Sequence, residues 1–145
     1  MSHSAPKFLL VAVLAAWPLA AQANIGEDLA HLRARYGSAQ EEGNQILFQR
    51  NGYSICVYFD GARSAMEVFV RDGSKRLGGK PGTTDFTEDD IEGVLAAESD
   101  GLTWTPVQTP SGKRTWVRSD NKLIARFTTG DTPEDKYLTI MLNAK

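Results

Sequence analysis

The stretch RNGYSICVYFDGARSAMEVFVRDG, Arg50 to Gly73, decides how this chain is read. Apolar and polar residues alternate along it, the period of a half-buried strand. Asn51-Gly52 is the two-residue turn that suits the twist of a hairpin, and Asp60-Gly61 turns the chain again. The spacing predicts strands at Ile46 to Arg50, Tyr53 to Phe59 and Ala65 to Arg71. One face is expected to carry Ile46, Phe48, Tyr53, Ile55, Val57, Phe59, Met66, Val68 and Val70. The other is expected to carry Gln49, Ser54, Cys56, Tyr58, Glu67 and Phe69. That is an antiparallel sheet with one strongly apolar face. Cys56 is then a packing residue, not a nucleophile.

Upstream, Ile25, Leu29, Leu32 and Tyr36 recur at helical spacing, so a helix is expected over Asn24 to Tyr36, with Asn24 and Glu27 as its cap and Gly37 as its stop. SAQEEGN reads as a polar loop. Downstream, Asp72 to Thr84 is a connector rich in glycine and basic residues. A second helix is expected from Thr87, with Asp90 in capping position and Ile91, Val94 and Leu95 on its apolar face. LTWTPV, RTWVR, KLIARFT and YLTIML supply four more strands, the first placed at an edge or in a loop by Pro106 and Pro110. The expected class is α+β, with two helices and an antiparallel sheet of about six to seven strands.

The first 23 residues are set apart from the fold. Lys7 precedes the apolar run FLLVAVLAA, and small residues stand at Ala21 and Ala23. This is the pattern of a secretory signal peptide, with cleavage expected between Ala23 and Asn24. The run is broken by Pro18 and is shorter than the ~20 residues that span a bilayer. Residues 24–145 then form a single mature domain, periplasmic or secreted, with no transmembrane segment after cleavage. Lys7 is the only charged residue removed, so the formal charge moves from −2 to −3. A mildly acidic balance argues against a general nucleic-acid binder. The single cysteine cannot form a disulfide within the chain.

The two halves also answer one another. At a shift of 68 residues Phe48 falls on Trp116, Arg50 on Arg118, Ile55 on Leu123 and Phe59 on Phe127. Leu138, Ile140 and Leu142 then take the places of Met66, Val68 and Val70. A tandem helix–strand–strand–strand repeat, with half-repeats 24–72 and 85–145 joined by the linker 72–84, is one reading. Agreement by chance between amphipathic hairpins is the other.

A helix ending in LRARYG, followed by a hairpin of the form ILFQRNGYSICVYFDG, resembles a group of small, uncharacterised, secreted bacterial proteins. The order of helix then antiparallel strands is also similar to the β-lactamase-inhibitor-protein fold, shared by the SmpA/OmlA outer-membrane assembly lipoproteins. The resemblance implies a binding or assembly role outside the cytoplasm, without catalysis. The chain departs from the lipoproteins in lacking a lipid-acceptor cysteine after the leader, and from the inhibitors in lacking their paired cysteines. No functional residue is carried over.

Catalytic chemistry is sparse. Cys56 and His31 are the cysteine and histidine of residues 24–145, and His31 falls opposite the Leu29–Leu32 stripe. LGGKPGTT departs from a phosphate loop, with Ser74 at the first glycine position and Pro81 after Lys80. Glu88, Asp89, Asp90 and Glu92 are acids clustered at a helix start, without the interleaved ligands of a metal site. No catalytic residue, cofactor or metal is expected. The candidate partner surface is Tyr58, Phe69 and Trp104, with the basic residues Arg71, Lys75, Arg76 and Lys80. Another envelope or secreted protein is the expected partner. The alternative is a small secreted hydrolase using spatially assembled carboxylates or a serine.

Overall fold

The computed structural model describes residues 25–71, 85–130 and 136–144. Ala23, Asn24, the expected leader, the basic linker with Lys75, Arg76 and Lys80, and the LGGKPGTT segment lie outside the described residues.

The chain is α+β. Helix α1 (Leu29–Tyr36) precedes strands β1 (Ala39–Glu42), β2 (Gln45–Arg50), β3 (Tyr53–Asp60) and β4 (Arg63–Arg71). Helix α2 (Glu88–Ala97) precedes β5 (Trp104–Val107), β6 (Arg114–Arg118), β7 (Leu123–Thr128) and β8 (Tyr137–Leu142). The strands form one eight-stranded antiparallel sheet in the order β1-β2-β3-β4-β8-β7-β6-β5. The two four-stranded halves meet at β4 and β8, where Met66 faces Met141 and Val68 faces Thr139.

The strand beyond the expected six to seven is β1. AQEE carries almost no apolar signal, yet it pairs with β2 from Ala39↔Phe48 to Glu42↔Gln45. Its acidic side chains suit an edge, where charge discourages further strand addition. Strand β5 is the opposite edge, as Pro106 requires.

Helix α1 starts later than expected. Gly26 N donates to Ser64 O and Ser64 N to Glu27 O, both at 2.8 Å, so residues 26 and 27 are tied to β4 ahead of the helix. Asp28, not Asn24, is the cap, accepting from His31 N at 2.9 Å. Gly37 ends the helix at φ 92°. In α2 the expected box is present: Thr87 accepts from Asp90 N, and Asp90 accepts from Thr87 N.

Both helices pack on one face of the sheet. The core joins Leu32 and Tyr36 of α1 and Ile91, Val94 and Leu95 of α2 to Phe48, Ile55, Val57, Phe69, Trp116, Leu123, Ala125, Phe127, Leu138 and Ile140. The expected faces hold for β2 and β3 but invert in β4. The turn registers Asp60 with Arg63 and Phe59 with Ser64. A bulge between Tyr58 and Phe59 then shifts the ladder by one, to Val57↔Glu67 and Ile55↔Phe69. A one-residue shift exchanges the faces of everything beyond it. Glu67 and Phe69 therefore lie under the helices, while Met66, Val68 and Val70 share the far face with Cys56 and Tyr58. Leu138 and Ile140 are on the helix side, so they do not occupy the places of Met66 and Val68.

Candidate functional site

The far face of the sheet is the first candidate. Among the described residues no helix packs on it. It holds a trough of about 520 Å³ spanning both halves of the sheet. The register builds its floor in rungs. Arg126, Thr139, Val68 and Cys56 follow one another across β7, β8, β4 and β3. Met141, Met66 and Tyr58 form the next rung. Lys113 and Tyr137 complete one end. Among the described residues that line the trough, none is acidic.

Cys56 is 1% exposed and donates to Gln45 Oε1 at 3.1 Å. Burial pushes its thiol upward, so it rests as a neutral side chain. The sheet separates it from α1, where His31 Nδ1 lies 2.7 Å from Asp28 Oδ1 on the exposed side. A Cys–His dyad is not assembled.

The second candidate lies on the helix side. A cleft of about 290 Å³ runs between Tyr36, Tyr53, Phe69, Val94 and Ala97, and Glu98 reaches its wall. Behind it is a buried acidic pair that sequence reasoning did not pick out. The Tyr36 hydroxyl donates to Glu67 Oε2 at 2.8 Å and contacts Glu98 Oε1 at 3.4 Å. Glu67 is 0% exposed and Glu98 1%. Glu67 Oε1 and Glu98 Oε2 have no hydrogen-bond partner. Burial pushes both carboxyls up, Glu67 to about 7, and each acid's proximity to other carboxylates adds to this against the nearby Arg35. Glu98 follows two alanines at a helix end, and Glu67 sits one place from where an unbulged hairpin would expose it, so neither carried a motif.

Of the expected partner-surface residues, the described ones, Tyr58, Phe69, Trp104 and Arg71, are not brought together. Tyr58 lines the trough. Phe69, expected beside it, is 5% exposed and packs beneath the helices because of the bulge. Trp104 is partly buried against the core and donates from Nε1 to Leu95 O at 2.8 Å. Arg71 stacks over the Tyr53 ring at 4.8 Å and pairs with Asp90 at 3.3 Å. Asp90 also accepts from the Tyr53 hydroxyl at 2.5 Å, and Glu88 takes both Arg114 nitrogens. Glu88 and Asp90 at the start of α2 are thus engaged in capping and ion pairs. Among the described residues no cluster of His, Cys, Asp and Glu could hold a metal, and no helix is long and apolar enough to cross a membrane.

No family model and no curated protein matches this chain. A solved extracellular protein containing an SCP domain, from Bacillus anthracis strain Ames, aligns with 82% of it at 11% identity and a TM-score of 0.37. The aligned part is 44% of that chain. A likeness of that degree carries no argument about function.

Proposed function

We propose that this chain is an exported, non-enzymatic binding module or envelope accessory whose working surface is the open face of the sheet. The carrying observation is the trough: about 520 Å³, with Val68, Met66 and Met141 beside the cations Arg126 and Lys113 and no acid among the described residues of its lining. Its size lies within the roughly 300–1,000 Å³ of small-molecule sites. Export rests on the charge, apolar core and small-residue order of residues 1–23. The similarity in element order to the β-lactamase-inhibitor-protein fold supports a binding role outside the cytoplasm.

The test is recovery of the full chain from the envelope and medium, with its N-terminus and any retained molecule read by native mass spectrometry. We expect a start at Asn24 and a retained ligand or secreted partner that is lost in Met141→Glu. An intact leader held in the membrane, or retention indifferent to Met141→Glu, refutes the reading.

A hydrolase is the second reading, favoured by Glu67 and Glu98 lying together with raised pKa values. Only Glu98 reaches the cleft, however, and carboxylate pairs in glycosidases act from either side of the scissile bond. Turnover of a glycoside or ester panel that disappears in Glu98→Gln would establish it.

A further inference from the structure

We propose that the trough is a site for a single-chain anionic amphiphile, a fatty-acid carboxylate whose head meets Arg126 and Lys113 and whose chain lies over Val68, Met66 and Met141. The proposal rests on the binding reading above and names the ligand class of that surface.

The charge pattern of the arginines points to an anion. Arg33, Arg35, Arg71, Arg114 and Arg118 pair with Glu41, Glu27, Asp90, Glu88 and Asp120 respectively. Arg50 and Arg63 donate to the backbone carbonyls of Arg35 and Gly26. Arg126 has neither kind of partner among the described residues. Its Nε is buried from solvent with no acceptor. A buried donor without an acceptor is unfavourable, and a carboxylate oxygen from a ligand would satisfy it with a charge-assisted bond. Lys113, in the same lining, also has no ion pair among the described residues.

The apolar part of the ligand follows from the register. Arg126 faces Thr139, and Thr139 faces Val68, so an apolar surface begins two strands from the guanidinium. The next rung sets Met141 against Met66. Methionine side chains adapt to flexible chains more readily than branched ones. Thr128 and Thr139 add hydroxyls beside the cation. A purely inorganic anion would leave the methionine floor unused, and a neutral lipid would leave Arg126 unsatisfied.

The experiment uses the secreted chain with ¹³C-methyl-methionine, titrated below micellar concentration with laurate, dodecanol and dodecylamine. Laurate should move the Met66 and Met141 methyl signals and bind at least about tenfold more tightly than either analogue, the difference expected of one charge-assisted contact. Lys113→Gln, at an exposed position, and Arg126→Gln should each weaken laurate about tenfold and leave dodecanol unchanged, with Arg126→Lys restoring part of the loss. Equal binding of all three amphiphiles in the trough would overturn the anion assignment and keep the binding reading. Methyl signals that respond to none of them, in a chain that retains a secreted protein on this face, would overturn the assignment in favour of a protein partner. No response and no retained molecule would overturn both.

Discussion

The Tyr36 hydroxyl donates to Oε2 of Glu67 at 2.8 Å, joining helix α1 to the central strand β4 through a buried tyrosine and a fully buried carboxyl. Glu98, at the end of α2, shares the same hydroxyl at 3.4 Å. The three elements of this half of the core therefore meet at an acidic cluster with one donor for two carboxyls. With Glu67 and Glu98 protonated, the cluster is a neutral hydrogen-bonded group. Ionised, it holds like charges in a medium that solvates them poorly.

Stability should therefore fall as pH rises. Burial raises Glu67 from an ordinary 4.5 to about 7 in the folded chain, and raises Glu98 as well. The folded state then binds more protons than the unfolded state between these values, so the contribution is complete below about 4.5 and is lost as pH climbs through about 7. Asp28, Asp90 and Asp120 are lowered and act in the opposite sense, below their unfolded value of 3.8. Urea midpoints from pH 4.5 to 8 should decline. In Glu67→Gln the decline should be shallower by up to about 1.4 kcal/mol per pH unit, one proton's worth. An identical slope in wild type and Glu67→Gln would remove Glu67 as the titrating group.

The bulge between Tyr58 and Phe59 makes neighbouring positions on β4 behave oppositely. Phe69 is buried against α1 and α2, and Phe69→Ala should cost about 3–5 kcal/mol. Val68 is half-buried on the face opposite the helices, and Val68→Thr should cost about 1 kcal/mol or less. Denaturant unfolding of the two variants checks the register directly, since an unbulged ladder reverses their order.

Much of this arrangement was legible in the sequence, and what was missed has local causes. The hairpin Ile46 to Phe59, the second helix with its Thr87–Asp90 box and the Pro106 edge strand follow from turn chemistry, capping and periodicity. The faces of β4 did not, because Asp60-Gly61 looks the same whether or not a bulge follows. Strand β1 was hidden because an edge strand of AQEE needs only backbone pairing and carries no apolar face. The buried Glu67 and Glu98 were invisible because they are brought together from different elements by Tyr36. Arg126 did leave a signal: in LIARFT it alternates with the core residues Ala125 and Phe127, which places it on the face opposite the helices.

Cys56 should be chemically quiet. It is 1% exposed, its thiol is raised by burial, and it donates to Gln45. Thiolate is the reactive form, so Ellman's reagent at pH 8 should leave the native chain nearly unlabelled and react fully in urea. Labelling at the rate of a free thiol under native conditions would contradict this packing. Laurate bound in the trough should slow native labelling further, because Cys56 lies in its lining.

The start of α2 is held by one carboxylate serving three partners. Asp90 accepts from Thr87 N at 2.8 Å and from the Tyr53 hydroxyl at 2.5 Å, and pairs with Arg71 at 3.3 Å. The Thr87→Ala variant loses the side-chain cap, and about 1 kcal/mol is expected. Asp90→Ala should cost more, about 2–3 kcal/mol, because it strands the Tyr53 hydroxyl and leaves Arg71, whose Nε is already buried without a partner, with no carboxylate. Tyr53→Phe removes a single hydrogen bond and should cost about 1 kcal/mol. Because Tyr53 and Asp90 touch, the double variant Tyr53→Phe/Asp90→Ala should be less destabilised than the two losses added together. Urea denaturation of the four chains measures that coupling, and strict additivity would mean that Tyr53 and Asp90 act on α2 independently.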